Sequence, residues 1–192
     1  MTEWIYKKLG DICETLDSKR VPITKSKRVS GPIPYYGASG IVDHVVDYLF
    51  DEDLLLVSED GANLLARSYP IAFSISGKTW INNHAHVLRF EDNDSQRFIE
   101  YYLNSISLEP YVSGMAQPKL NQKSLNSITV PAPPLPEQKR IVAILDEAFE
   151  GIDAAVANTE KNLANVRELF EGYLNDVFTQ KGDGWGEKAL QE

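Results

Sequence analysis

The chain has 192 residues, 43% of them hydrophobic, and a formal net charge of −9. That suffices for one globular domain with a real core plus an extension. No apolar run approaches the ~20 residues that span a bilayer, and the first residues hold no signal-peptide core. Cys13 is the single cysteine, which excludes an intramolecular disulfide and thiolate zinc clusters and suits a reducing cytosol.

The acidity is uneven. Residues 1–130 hold 13 Lys/Arg against 16 Asp/Glu, whereas 131–192 hold 6 against 12. Within 7–28 the balance reverses, with 7 basic residues against 3 acidic. The net charge opposes nucleic acid, but a local basic patch can still hold phosphate.

In chain order, residues 1–130 read as a mixed α+β domain. "DLLLVSED" (53–60), "IAFSI" (71–75) and "HAHVLRF" (84–90) are short β-rich runs bounded by turn residues, and each predicts a strand. "SQRFIEYYLNSI" (95–106) sets Phe98, Ile99, Tyr102, Leu103 and Ile106 at helical spacing, with Ser95 as the expected N-cap. "NSITVP" (126–131) reads as a closing strand. Residues 131–136 hold four prolines, which favour an extended linker. Pro136 suits the first residue of a helix, and Glu137 complements its positive end.

A helix is expected over 137–181. Ile141, Leu145, Ala148, Ile152, Ala155, Thr159, Asn162, Val166, Leu169 and Tyr173 follow a 4-3-4-3 spacing. At 1.5 Å per residue it would be a rod of roughly 65 Å, too long to cover its seam on its own domain. The seam predicts a partner helix. Thr159 and Asn162 interrupt its middle, a device that fixes register and partner choice.

The segment "MAQPKLNQKSLNSITVPAPPLPEQKRIVAILDEAFEGID" (115–153) resembles specificity subunits of type I restriction–modification enzymes. The matching residues are Gln117, Leu120, Asn121, Pro134, Pro136, Glu137, Gln138, Ile141 and Leu145. "YYGASG" (35–40), "NNHAHVL" (82–88) and the opening Trp4, Lys7, Leu9, Gly10 and Asp11 are similar to the same family. The resemblance implies a target-recognition domain over 1–130 and a long dimerisation and spacer helix. Family members usually carry two such domains and two antiparallel helices, and offer surfaces to two methyltransferase subunits. This chain has one of each. It is therefore expected to act as a homodimer, its helices antiparallel along Ile141–Tyr173, reading an inverted repeat in double-stranded DNA.

The implied partners are DNA adenine methyltransferase subunits and, through them, the restriction subunit. The expected chemistry is none: no cofactor, no metal and no catalytic residues. No Asn/Asp-Pro-Pro-Tyr/Phe motif, phosphate loop or triad spacing is present. His84 and His86 would share a strand face and could meet a metal, but an ordinary hydrogen-bonded histidine is the favoured reading.

A recognition domain needs cations for phosphate and short polar side chains for base edges. Lys19, Arg20, Lys25, Lys27 and Arg28 lie in "DSKRVPITKSKR" (17–28), either a DNA-facing loop or a solvated one. Tyr36 and Ser39 in "YYGASG" suit close approach, or pack as a glycine turn. Asn63, Lys78 and Asn82 are candidate base readers or turn caps. Lys119 and Lys123 flank the domain–helix junction, where a phosphate contact would fix orientation. The acidic helix faces, among them Glu147, Glu150, Asp153 and Glu168, would meet methyltransferase or be solvated.

A rival function is a non-catalytic half-subunit that competes for methyltransferase or a full-length subunit. Finally, the ending "GWGEKALQE" echoes "EWIYKKLGDI": Trp185, Lys188, Leu190 and Glu192 align with Trp4, Lys7, Leu9 and Asp11. The echo suggests a flexible tail over 182–192, either the start of a second recognition domain cut short or a chance likeness of four loose matches.

Overall fold

The computed structural model describes residues 4–114, 116–180 and 186. The echo residues Trp185, Lys188, Leu190 and Glu192 lie outside the described residues. The fold is α+β, and the chain divides into two units, Met1–Ala143 and Ile144–Glu192.

The strands in order are β1 Tyr6–Lys8, β2 Glu14–Thr15, β3 Ile33–Gly37, β4 Gly40–Val45, β5 Phe50–Asp51 and β6 Leu54–Ser58. They continue as β7 Ala72–Ile75, β8 Lys78–Ile81, β9 Ala85–Arg89 and β10 Thr129–Pro131. The helices are α1 Asn63–Ala66, α2 Asn93–Ser105, α3 Gln122–Asn126 and α4 Leu135–Thr179.

β2-β9-β6-β7 form an antiparallel sheet, and β4-β3-β8-β5 form a second in which β3 and β8 run parallel. β1 pairs with β10 alone. All of β6 is buried, and its alternation sorts two cores. Leu55 and Val57 join Leu88, Phe98, Ile99 and Leu103 on the α2 side. Leu54 and Leu56 join Leu16, Phe50, Ile81 and Val87 on the other. The aliphatic run "LLLVS" thus serves a strand covered on both faces.

Three local expectations are corrected. The cap of α2 is Asp92, whose carboxylate accepts the Ser95 N–H at 2.8 Å. With Asp92 as the cap, Ser95 becomes an internal residue of the first turn, and its hydroxyl donates to the Asp92 carboxylate at 2.8 Å. The closing strand is only Thr129–Pro131, because Asn121 accepts the Ser124 N–H at 2.9 Å and starts α3 instead. Finally, α4 begins at Leu135, within the expected linker. Its first turn needs no N–H from Pro136, and the Pro134 carbonyl accepts from Glu137 and Gln138.

In its first turns α4 contributes Ile141 and Val142 to the α2-side core. From Glu147 to Thr179 every residue is exposed. The expected seam takes in the centre line and one flank of a broader apolar face. Leu145, Ile152, Thr159, Val166 and Tyr173 form its centre line. Ala148, Ala155, Asn162 and Leu169 lie on one side. Phe149, Val156, Leu163, Phe170 and Val177 lie on the other, still at seven-residue spacing. The centre line taken with this second flank holds one polar residue, Thr159, whose hydroxyl donates to the Ala155 carbonyl at 2.8 Å. Asn162 then stands at an edge.

Candidate nucleic-acid interface

Strand direction collects the loops of the domain at one end. β6 ends at Ser58 where β7 and β9 begin, and the parallel strands β3 and β8 finish beside them. The Asn82 N–H donates to the Tyr36 carbonyl at 3.0 Å, and the Ser58 hydroxyl to the Ala38 carbonyl at 2.5 Å. Residues 116–120 close the same end: Leu120 N–H donates to the Glu59 carbonyl at 2.8 Å and Gly61 N–H to the Pro118 carbonyl at 3.1 Å.

Beneath these loops lies a largely covered ion network. His86 is 1% exposed; its Nδ1 faces the Asp17 carboxylate at 2.5 Å and its Nε2 the Leu120 carbonyl at 2.7 Å. Both ring nitrogens meet acceptors, so the geometry calls for a hydrogen on each. Arg20 donates to Glu59 at 2.6 Å and to the Ala85 carbonyl at 2.7 Å, and lies 3.3 Å from Asp17. Lys119 Nζ stands 3.0 Å from Glu59.

Burial alone would raise the Asp17 carboxyl. The hydrogen bond and charge of His86, with the Val87 N–H and Arg20, outweigh it and hold the group below its ordinary value. Burial likewise opposes Glu59 ionisation, and Arg20 and Lys119 overcome it. Asp17, Glu59 and His86 place ligand atoms within 4.8 Å of one another, the spacing of a metal site. The donor set does not fit one, since Arg20 and Lys119 already match the carboxylates. His84 has a separate partner, Asp60, at 2.8 Å. The two histidines therefore do not converge.

The structure sorts the expected contact residues. Lys19, Lys25, Lys27, Ser39, Lys78, Lys119 and Lys123 are exposed. Lys25–Lys27 form one turn of 3-10 helix inside the basic loop. Arg20 faces inward, as described. Arg28 is tied to Asp43 at 2.9 Å and lies 4.3 Å from the Tyr35 ring centroid. Tyr36 is half-buried, 6.1 Å from the Phe73 ring. Asn63 and Asn82 are only 7% and 6% exposed. Lys78 lies 4.7 Å over the Tyr48 ring, at the opposite end of β8 from the loop cluster.

The basic loop is held on the second sheet by side chains far away in sequence. Tyr35 Oη accepts the Ile23 N–H at 2.9 Å, and Trp80 Nε1 donates to the Val21 carbonyl at 2.6 Å. Gly31 permits the close pass, since a Cβ there would sit 2.4 Å from Val46 Cα.

At the other end of β9 an open groove of about 1110 Å³ is lined by Asp11, Cys13, Glu14, Arg89, Phe90 and Pro133, among others. Burial pushes the Cys13 thiol up to about 12, which makes it a poor nucleophile.

A family model described as the type I restriction modification DNA specificity domain matches residues 1–165. The chain belongs to this family. It is 39% identical over 144 residues to a *Haemophilus influenzae* chain named as type I restriction enzyme specificity subunit S.HindORF215P, covering 75% of this chain and 36% of that one. It is 24% identical over 186 residues to the *Methanocaldococcus jannaschii* MjaVIII specificity subunit, covering 93% and 42%.

Among solved structures, a chain from work on complex assembly and conformational transition of the type I R-M system superposes with a TM-score of 0.70 at 20% identity, covering 94% of this chain and 47% of that one. The specificity subunit of *M. genitalium* gives 0.60 at 18% identity, covering 94% and 47%. These likenesses show a shared fold. The chain spans less than half the length of each of these relatives. Inside the family segment, Leu120 is buried and Asn121 caps α3, so these two positions serve folding directly. Among the described residues no helix is long and apolar enough to cross a membrane.

Proposed function

We propose that the chain is a DNA-reading module of a type I restriction–modification assembly. The loop-bearing end of the domain takes one half of a bipartite site. Lys25, Lys27, Lys119 and Lys123 supply phosphate contacts, and α4 pairs with the α4 of a second copy. The observation that carries the reading is the combination of a recognition-family domain with a continuous exposed apolar face on α4. Such a face requires another helix. A twofold-related, antiparallel copy offers an equal face over the whole length and presents two domains to DNA. Methyl transfer and DNA cleavage belong to the methyltransferase and restriction subunits; this chain supplies no step of either.

The test is to combine the chain with the methyltransferase subunits of its own system and map methylated positions on genomic DNA. The expected result is one split, inverted-repeat motif. A complex that forms but modifies no defined motif contradicts the reading and favours the competing half-subunit.

A further inference from the structure

Two buried asparagines hold two exposed side chains in place. Asn63 Nδ2 donates to the Tyr69 carbonyl at 2.8 Å, while its Oδ1 accepts the N–H groups of Ser68 at 2.9 Å and Tyr69 at 3.3 Å. Asn82 Oδ1 accepts the His84 N–H at 2.8 Å. The side chains they present, Tyr69 and His84, are 47% and 53% exposed. Each is tethered again at its polar tip. The Ser39 hydroxyl donates to Tyr69 Oη at 3.1 Å, and the Asp60 carboxylate holds His84 Nδ1 at 2.8 Å.

We propose that Tyr69 and His84 read base edges, with Asn63 and Asn82 as positioning residues behind them. The proposal rests on the DNA-reading function above and names the side chains that carry its specificity. Tethering leaves each tip with one defined capacity. Because Ser39 donates to it, the Tyr69 hydroxyl keeps its own hydrogen for an outside acceptor such as guanine O6, thymine O4 or a purine N7. Because the Asp60 carboxylate holds Nδ1, Nε2 is the ring atom left to an outside partner, an acceptor in the Nδ1–H tautomer. That suits the exocyclic amino group of adenine or cytosine. Among the described residues Nε2 has no partner. The Asp60 charge beside it repels phosphate, which favours a base edge over the backbone. Both groups stand at the end where the turns 37–40, 59–71 and 82–84 gather, and fixed orientation is what base discrimination needs.

The experiment maps methylated motifs with the chain assembled on its methyltransferase subunits, comparing wild type with Tyr69→Phe, His84→Ala, Asn82→Ala and Asn82→Asp. Duplex binding against salt is measured in parallel. Tyr69→Phe and His84→Ala are expected to relax preference at one base pair each by roughly 5- to 100-fold, with melting temperature and salt slope unchanged. Asn82→Ala should relax the same base pair as His84→Ala, and Asn82→Asp, which keeps the acceptor, should restore it. An unchanged motif in both the Tyr69 and His84 variants overturns the proposal. So does a uniform loss across all sequences with a salt slope lowered by about one phosphate. If Asn82→Ala lowers the melting temperature but leaves base preference intact, the positioning role is overturned. A wild-type complex with no motif overturns this proposal and the function together, whereas a clear motif indifferent to Tyr69 and His84 overturns this one alone.

Discussion

The unit up to Ala143 and the helix beyond it solve opposite problems. The first closes on itself: β6 is covered on both faces, and Asp17, Glu59, His86 and Arg20 satisfy one another below the loops. The second leaves its apolar face exposed from Ile152 to Val177. Cohesion in the domain comes from within, whereas on the proposed reading the helix gains its cohesion from a second copy. In the proposed function one region carries the DNA-reading surface and the other joins it to its partner.

Substitutions can break each half of this contrast separately. Val156→Glu with Leu163→Glu should abolish self-association while leaving the domain's melting unchanged. Four charges then enter one interface, each replacing a side chain worth about 1.5–3 kcal/mol when buried. Light scattering should show weakening of at least about a thousandfold.

Asp17→Ala should do the reverse. It removes the partner of His86 and of the Val87 N–H, in a group only 6% exposed. Chemical denaturation should register a loss of about 3–5 kcal/mol, with helix pairing retained.

A smaller effect of the same origin appears in pH dependence. Asp17 and Glu59 are held below their ordinary values of 3.8 and 4.5. Their contribution is fully present above those values and is lost as pH falls through the lowered folded ones. Resistance of the wild type to denaturant should fall over that acidic range, and Asp17→Ala should flatten the dependence.

Smallest in energy is the basic loop. Lys25→Ala with Lys27→Ala should reduce the salt slope of DNA binding by about 2, with stability unchanged. Arg28 is left in place in this variant because its bonds to Asp43 and the Ile23 carbonyl hold the loop. An unchanged slope would mean that the loop does not face phosphate.

Much of the fold was legible in local patterns. The strand runs at 54–58, 72–75 and 85–89 declared themselves as aliphatic segments between turns, and the seven-residue spacing announced α4. Ser95 misled because the helix begins earlier, at Asn93: Asp92 accepts the Ser95 N–H, and the Ser95 hydroxyl itself donates to the Asp92 carboxylate. The seam was read along one flank because a row starting at Ile141 and one starting at Val142 keep the same spacing. The second flank is the more apolar.

Site residues were harder to read because their partners are distant. Asp17 meets His86 across 69 positions, and nothing local in either segment signals the pairing. Arg20 looked like part of a basic patch until Glu59 was brought beside it. Asn63 and Asn82 have amides that suit adenine and turns alike, and only their burial separates the two uses. Tyr69 lies in none of the stretches singled out from the sequence, and His84, within "NNHAHVL", was read as an ordinary hydrogen-bonded histidine.

The most direct test of the account is sedimentation equilibrium of the purified chain over a wide concentration range, with helix content recorded alongside. The account predicts a dimer of twice the 21.5 kDa chain mass, dissociating when Val156 and Leu163 are replaced by Glu. A fully helical chain that stays monomeric at every concentration, both alone and with methyltransferase subunits, would contradict it.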